Sequence, residues 1–386
     1  ILNNIMLKYL EYLKGDDSMN FSFFNPTKVF FGIDCISNYD NHFLDIGKKA
    51  LIVTGKSSAK KTGAYNDIIS VLKKYNIDHV LFDDVSENPN FEIIERAKNF
   101  GIKNNVDFII GIGGGSPMDA AKALAVLIAN PDFDVEDLYN NNFDKALKIV
   151  EITTTSGTGS EVTQYSVLTD MNNNKRGFGN FKTFPYISFV DPKYTLELNF
   201  DLTLTTAVDA MSHSIEGLIS NTSTDLTDLF AKKSLELIKN TLPIILSSES
   251  NLNDLSLRND LSLASMYAGM VISQTGTVLP HVLGYGLTSN YGIRHGVATA
   301  LFQLPVIRKI NSENPQKLDT LYDVFYSFED FNNFINDLNL DRYCTKLKSE
   351  DIDSFTKNAL NSKHIKKTPA TFTYDDIFSF YSEVCK

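Results

Sequence analysis

The 386-residue sequence lacks several features that mark particular classes of protein. It contains no uninterrupted run of 18 apolar residues, so it offers no candidate transmembrane helix. Acidic side chains outnumber basic ones by 47 to 36, for a formal net charge of −11. General binders of nucleic acid or of anionic membranes need positive fields, so we expect neither partner.

Cysteine is also scarce. Cys35, Cys344 and Cys385 are an odd number, lie far apart in the sequence and form no CxxC motif. This pattern argues against a disulfide framework and against a zinc knuckle built on cysteine. It fits a reducing compartment, and we expect the protein in the cytoplasm.

The remaining composition is that of a globular protein with two or three domains, with 43% apolar and 22% charged residues. Residues 1–18 have leucines at helical spacing but no compact apolar core and no small-residue cleavage site, so they make a poor signal peptide. Met19 looks like a natural start. We interpret residues 1–18 as a non-native or disordered extension.

The rest of the chain divides into two parts with different patterns of apolar residues. Over residues 19–195, short apolar runs such as 49–54 and 108–112 alternate with helical patterns, which predicts a Rossmann-like α/β domain with a parallel sheet. Over residues 196–386, long amphipathic stretches dominate and strand patterns become rare. We predict that this second half is all-α.

A glycine-rich segment, 113–119, stands where a strand gives way to a helix. Glycines there let a ligand approach the backbone, Ser116 is placed as an N-cap, and the exposed amides of a helix start bind phosphate. A tight, well-capped turn is the competing interpretation. The segment does not match the GxGxxG fingerprint.

A second polar loop, 153–163, is dense in threonine, serine and glycine and follows the predicted strand 148–152. As a string of residues it is equally typical of a flexible surface turn. Its position at the carboxyl end of a parallel strand favours ligand binding.

Asp209 and His213 are four residues apart, so they share one helix face, and Glu216 follows close to it. A buried Asp and His must either pair with each other or bind a metal. His281 and His295 are separated by a glycine-containing stretch that predicts helix, loop and helix, which could bring both imidazoles to one point. One carboxylate and three imidazoles suit Fe²⁺ or Zn²⁺.

In this order, segments 113–122, 154–163, 209–216 and 281–296 resemble the iron-containing (group III) alcohol dehydrogenase family. The resemblance runs from about Met19 to the C-terminus and is strongest to the butanol-dehydrogenase-like branch. It implies a dehydroquinate synthase-like architecture. It also implies reversible hydride transfer between NAD(P) and a small primary alcohol or aldehyde, such as butanol or ethanol.

The family's sites map onto this chain residue by residue. The metal ligands would be Asp209, His213, His281 and His295. The cofactor-binding residues would come from the glycine turn, the threonine loop and one basic position after that loop. They are Gly113, Gly114, Gly115, Ser116, Asp119, Thr154, Thr155, Thr158, Thr163 and Arg176. Lys175 is the alternative to Arg176 at the basic position.

Two positions depart from the family pattern. Some members have a histidine where this chain has Tyr285, which we interpret as a proton relay or as an aromatic wall of the pocket. Others end the first strand with an Asp that holds the ribose 2′-hydroxyl of NAD, where this chain has Gly55, followed by Lys56, Ser57 and Ser58. Gly55 and Ser57 therefore lead us to expect NADP(H) rather than NAD(H).

Two other functions fit parts of the pattern. A metal- and NAD-dependent lyase of the dehydroquinate synthase type would share the architecture, but the metal motif lacks the extra basic cluster that an acidic sugar requires. A metal-dependent hydrolase could use the same ligands but would need neither loop. We expect the dehydrogenase to be a homodimer.

Overall fold

Six parallel strands form the central sheet in the computed structural model, which describes residues 20–385. The extension predicted over residues 1–18 lies outside these described residues. The sheet strands are β1 (Lys28–Phe31), β2 (Lys49–Thr54), β3 (Asp78–Phe82), β4 (Phe108–Gly113), β5 (Lys148–Thr153) and β8 (Ile187–Val190). Their order is β1-β8-β5-β4-β2-β3, and each neighbouring pair is parallel.

Helices cover both faces of the sheet. They are α1 (Cys35–Asn38), α2 (Ser58–Lys61), α3 (Ala64–Lys74), α4 (Phe91–Lys103) and α5 (Gly115–Ala129). Alternate residues of β2 show why: Leu51 belongs to the apolar core that contains Ile94 of α4, and Ile52 belongs to the core that contains Ile68 of α3. A strand that is buried on both faces reads as a continuous apolar run, as β2 does.

An antiparallel hairpin that the strand–helix alternation did not predict follows β5. Its strands are β6 (Tyr165–Thr169) and β7 (Lys175–Gly179), and the residues between them form the turn. Asp170 fixes this turn by accepting hydrogen bonds from the backbone N–H groups of Asn172 and Asn174, both at 2.8 Å. The β7 sequence is short and polar, so its pattern is weak.

From residue 200 onward the described chain is helical, as predicted. The helices are α6 (Phe200–Ile219), α7 (Asp225–Ile245), α8 (Leu255–Thr275), α9 (Leu279–Tyr291), α10 (His295–Ala300), α11 (Gln303–Glu313), α12 (Asp319–Phe325), α13 (Phe328–Asp337), α14 (Ser349–Leu360) and α15 (Tyr374–Val384). They bury one shared apolar core. The predicted fold class is therefore confirmed.

Side-chain caps explain where the long helices begin. Asn199, Thr224 and Asp254 precede α6, α7 and α8, and each accepts a hydrogen bond from a backbone N–H of the first turn. Among the residues that the structure describes, no helix has the length and hydropathy needed to cross a bilayer.

Candidate active site

Three helices bring together the side chains of the predicted metal site. Asp209 lies in the middle of α6, His281 in the first turn of α9, and His295 is the first residue of α10. One ligand atom from each of these three residues lies within 4.8 Å of those of the other two. The predicted sequence of helix, loop and helix between His281 and His295 is what places both imidazoles here.

His213 adjoins this group of three. It lies one turn beyond Asp209 on α6, and its Nε2 is 3.8 Å from Asp209 Oδ1. Its ring stacks on that of His281, with 4.9 Å between the ring centroids. All four residues that the sequence singled out as ligands are thus neighbours.

A glycine allows α10 to approach α6 this closely. A Cβ at Gly296 would lie 2.0 Å from the carbonyl oxygen of Thr205 and 2.8 Å from Cβ of Asp209. No other residue fits, so the glycine after His295 sets the distance between His295 and Asp209.

Burial keeps the imidazoles of His281 and His295 neutral, and the carboxyl group of Asp209 stays ionised. Burial lowers the pKa of His295 to about 3. It also lowers the pKa of His281 well below its usual value, and His213 contributes to that shift. Burial opposes ionisation of Asp209, but its electrostatic interactions with neighbouring groups, His213 first, outweigh burial and lower its pKa. Neutral imidazole and carboxylate are the forms that ligate a metal.

Glu216 orients His281, a role that the sequence pattern did not reveal. Its Oε1 is 2.5 Å from His281 Nδ1 and accepts from Nε2 of Gln303 at 3.1 Å, while Oε2 accepts from the backbone N–H of Val278 at 2.8 Å. This contact turns Nε2 of His281 away from Glu216. Metal-ligating histidines commonly have such a partner, and the position of Glu216 beside His213 on α6 was the available signal.

Buried side-chain atoms that have no hydrogen-bond partner indicate whether a metal ion would fit this site. Within the described part of the chain, Asp209 Oδ1, His281 Nε2 and His295 Nδ1 are buried and have no hydrogen-bond partner. Buried polar atoms without partners are costly, and here one comes from each residue of the converging group. The donor set of nitrogen and oxygen atoms fits a first-row divalent ion.

The glycine turn and the threonine loop meet at the carboxyl ends of β4 and β5. The backbone N–H of Thr154 donates to the carbonyl oxygen of Gly113 at 2.9 Å. A Cβ at Gly115 would lie 2.9 Å from Cγ2 of Thr158, and one at Gly114 would lie 3.1 Å from Cγ2 of Thr155. The two predicted loops therefore form one surface at the edge where parallel sheets bind ligands.

The residues of this surface differ in what they can offer a ligand. Gly114, Gly115, Thr155 and Thr158 are half-buried, whereas Gly113, Thr154 and Thr163 are buried. Gly114, not Ser116, is the N-cap of α5, so that part of the prediction is wrong. The hydroxyl of Ser116 instead accepts from the backbone N–H of Asn88 at 3.1 Å.

Asp119 is already bonded within the protein. Its Oδ1 accepts from the hydroxyl of Ser160 at 2.8 Å, and Oδ2 accepts from the backbone N–H of Val167 at 2.9 Å. In this structure the side chain ties α5 to the threonine loop and the hairpin. Its predicted contact with the cofactor stays a prediction.

A buried lysine behind the surface was also missed. Nζ of Lys122, three residues after Asp119, donates to the carbonyl oxygens of Ser160 and Tyr165 at 2.7 and 3.0 Å and lies 3.8 Å from Glu151 Oε1. Both carboxylate oxygens of Glu151 lack hydrogen-bond partners among the described residues. Lys122 therefore fixes the threonine loop against α5 from the inside.

Arg176 and Lys175, the two candidates for the basic cofactor contact, have different surroundings in the structure. Arg176 donates to Glu136 Oε2 at 2.7 Å, and its guanidinium lies 3.9 Å from the ring centroid of Tyr139. Lys175 bonds to Asn88, and Asp119 and Asp209 both act on its pKa, which burial lowers. Neighbouring strand residues point to opposite faces, so the sequence could not decide between them. Which of the two contacts the cofactor stays a prediction.

At the end of β2, Gly55 leaves open space. A Cβ there would meet no atom closer than the carbonyl oxygen of Val85, at 3.4 Å. Lys56, Ser57 and Ser58 are exposed, and no side-chain cap bond engages Ser57 at the start of α2. A cavity of ≈ 370 Å³ lies nearby, lined by Lys56, Asp84, Val85, Ser86, Glu92 and Arg96 among others.

Tyr285 lies one turn beyond His281 on α9 and is half-buried. Its ring is nearly parallel to that of His295, at 13° and with 5.9 Å between the centroids. Burial raises the pKa of Tyr285 to about 12, so the hydroxyl keeps its proton at neutral pH.

Known proteins resemble both halves of the chain. The family model described as iron-containing alcohol dehydrogenase matches residues 26–192, and the model of the C-terminal part of the Fe-containing alcohol dehydrogenase family matches residues 203–385. A crystal structure of an iron-containing alcohol dehydrogenase from Thermotoga maritima is 41% identical, with a TM-score of 0.88 over 95% of this chain and 99% of that one.

Two curated relatives carry cofactor names. The NADPH-dependent butanol dehydrogenase of Clostridium saccharobutylicum is 29% identical over 75% of this chain and 73% of its own length. The NAD-dependent methanol dehydrogenase of Bacillus methanolicus is 27% identical over 92% of this chain and 97% of its own length.

Proposed function

The chain belongs to the iron-containing alcohol dehydrogenase family, and from that premise we propose which residues carry its reaction and which ligands it takes. It is an alcohol dehydrogenase that needs a metal and NAD(P). We assign it a small primary alcohol or the matching aldehyde, in the range of ethanol to butanol. The butanol dehydrogenase among its relatives supports this assignment.

The convergence of three ligand-type atoms from α6, α9 and α10 within 4.8 Å carries the proposal. Asp209, His213, His281 and His295 would hold one divalent ion, Fe²⁺ in preference to Zn²⁺. Bound there, the ion would supply Lewis acidity toward the alcohol oxygen, and bound NAD(P) would supply the hydride acceptor.

The chain's own residues position the reactants. Glu216 holds the imidazole of His281 so that Nε2 faces the other ligands. The glycine turn and the threonine loop form what we call the cofactor surface, around the half-buried residues Gly114, Gly115, Thr155 and Thr158. Its backbone N–H groups and hydroxyls would donate to a pyrophosphate at the start of α5. Lys175 is our candidate for the basic contact with the cofactor, because Asp119 of the glycine turn and Asp209 of the metal site both act on its pKa.

Tyr285 is our candidate for proton transfer. On α9 its ring stacks on that of His295, one of the proposed metal ligands. A tyrosine that stays protonated at neutral pH serves as a hydrogen-bond relay rather than as a base. The competing role is that of an aromatic wall.

NADP(H) is our preferred cofactor. A carboxylate at position 55 would repel a 2′-phosphate, whereas Gly55 leaves room for one, and Lys56 and Ser57 are exposed beside it. Gly55→Asp should lower kcat/KM for NADPH relative to NADH by about tenfold. Gly55→Ala is the matched control. An unchanged ratio in Gly55→Asp would contradict this role.

We also propose a division into domains at residues 195 and 196. The last sheet strand ends at Val190 and the first long helix begins at Phe200, which supports this boundary. The expected homodimer and the cytoplasmic location stay predictions, for which light scattering and cell fractionation are the measurements.

One combined experiment tests the proposed function. Elemental analysis of the purified protein is followed by NADPH and NADH oxidation with a series from acetaldehyde to hexanal. We expect a bound divalent metal and steady net cofactor oxidation. A lyase would bind NAD without net turnover, and a hydrolase would bind no dinucleotide, so either result would replace the dehydrogenase.

A further inference from the structure

Two cysteines far apart in sequence meet at the end of the helical half. Cys344 follows the turn Leu340–Tyr343, and Cys385 follows α15. The thiol of Cys385 donates to Sγ of Cys344 at 2.7 Å, and Sγ of Cys344 donates to the carbonyl oxygen of Val384 at 3.2 Å. Cys344 is half-buried and Cys385 is buried.

We propose that Cys344 and Cys385 form a reversible thiol–disulfide site that fastens α15 to the rest of the helical half, with a small disulfide such as glutathione disulfide as oxidant. The proposal rests on this geometry and not on the assignment of the active site. The sequence hid the pair because 41 positions separate its members.

The two cysteines have unequal roles. The hydrogen bond from Cys385 lowers the pKa of Cys344, whereas its donor role and burial raise the pKa of Cys385. Cys344, the more accessible of the two, is therefore the better nucleophile.

The reaction balances without any other reactant. The Cys344 thiolate attacks one sulfur of glutathione disulfide, forms a mixed disulfide and releases one glutathione thiolate. Cys385 then loses its proton to that thiolate or to water and attacks Sγ of Cys344. The second glutathione leaves, so two thiols are oxidised and one disulfide is reduced.

The bond would act on an element that supports the metal site. In α15, the hydroxyl of Tyr381 donates to the carbonyl oxygen of Leu283 in α9 at 2.9 Å, two residues from His281. The Tyr381 ring also packs edge-on against Phe302, with 4.9 Å between the centroids. Fastening α15 therefore steadies the helix that carries His281 and Tyr285, and closing so long a loop restricts the unfolded chain.

The test equilibrates the metal-loaded protein in glutathione buffers from reducing to oxidising. We expect the oxidised protein to lose two hydrogen atoms in intact mass and to give a tryptic peptide pair joined through Cys344 and Cys385. Its Tm should rise by about 5–10 °C above that of the reduced protein. Activity at 25 °C should change little, because neither thiol belongs to the active site.

Variants separate this site from general thiol oxidation. Cys344→Ser and Cys385→Ser should lose both the mass change and the Tm shift, and Cys385→Ser should retain a glutathione adduct on Cys344. Cys35→Ser is the matched control and should behave as wild type, since Cys35 is buried apart from this pair. Free thiols or a lasting mixed disulfide in the oxidised wild-type protein would overturn the proposal. So would a disulfide that forms without raising Tm.

Discussion

The cofactor surface and the metal site satisfy their polar groups in opposite ways. Behind the cofactor surface, the side chains of Lys122 and Asp119 form hydrogen bonds with the threonine loop and the hairpin. At the metal site, Asp209, His281 and His295 converge and leave buried atoms without partners in the described structure. The first region is held together mainly by its own hydrogen bonds, although the buried carboxylate of Glu151 has no hydrogen-bond partner among the described residues. In the second region the unpartnered atoms converge on one point, which a metal ion would satisfy.

This difference predicts where single substitutions have the largest effect. Backbone amides and several hydroxyls share the work at the cofactor surface, so the loss of one side chain is partly absorbed. At the metal site each of the four ligands supplies a large part of the interactions that would hold the metal ion. The effects should therefore fall in size from the metal site to the buried cluster behind the cofactor surface.

The largest effect is expected for the metal ligands. His213→Ala and His281→Ala should each lose bound metal and lower kcat by about 1000-fold, because the charge that stabilises the developing alkoxide is lost. Metal content and kcat are measured on the same samples. Ser212→Ala, also on α6, is the control and should keep both. Full activity in a metal-free His281→Ala protein would contradict the expectation that substitutions at the metal site have larger effects than those at the cofactor surface.

Next in size is Tyr285→Phe. If the hydroxyl relays the proton, kcat should fall by about 100-fold while cofactor affinity is kept. Tyr291→Phe lies on the same helix, and its hydroxyl serves Asp351, so it should leave kcat unchanged. A near-normal kcat for Tyr285→Phe across pH 6–9 would leave Tyr285 only as an aromatic wall.

A smaller effect on the cofactor side distinguishes Lys175 from Arg176. Lys175→Met should weaken NADP(H) binding by about tenfold, the value of one charge-assisted hydrogen bond. Arg176→Met should bind the cofactor as wild type does, because Glu136 and Tyr139 already hold that guanidinium. Fluorescence titration measures both, and the reverse order would restore Arg176 as the cofactor contact.

The smallest effect is one of stability and concerns Glu151. Burial raises its pKa to about 8, despite the nearby Lys122. The folded protein thus holds a proton that the unfolded chain releases near pH 4.5, and stability from this group is lost as pH rises toward 8. Glu151→Gln should therefore raise Tm at pH 8.5 and change it little at pH 5.

Thermal unfolding at both pH values checks this, with the exposed Glu329→Gln as control. An equal Tm change at the two pH values would show that Glu151 is ionised throughout.

The same contrast explains what the sequence could predict. Asp209 and His213 share a helix face by spacing alone, and the apolar runs of β2 and β4 announce a buried parallel sheet. The sequence could not reveal these contacts between residues that lie far apart along the chain. Glu216 acts on a histidine 65 positions away, and Cys344 meets Cys385 only in the folded chain.

One further choice depends on the register of a strand pair. Whether Lys175 or Arg176 faces the cofactor depends on how β7 pairs with β6, and a shift of one residue reverses the answer. The residue type of Ser116 suits an N-cap, but the helix begins two residues earlier than that position implies, with Gly114 as its N-cap.

The central claim is that Asp209, His213, His281 and His295 hold a metal ion. Alcohol oxidation depends on that ion. The most direct test follows kcat and metal content together while a chelator removes the metal from the wild-type protein and Fe²⁺ or Zn²⁺ is then returned. Our account predicts that activity disappears with the metal and returns with about one ion per chain. Undiminished alcohol oxidation by the metal-free protein would contradict it.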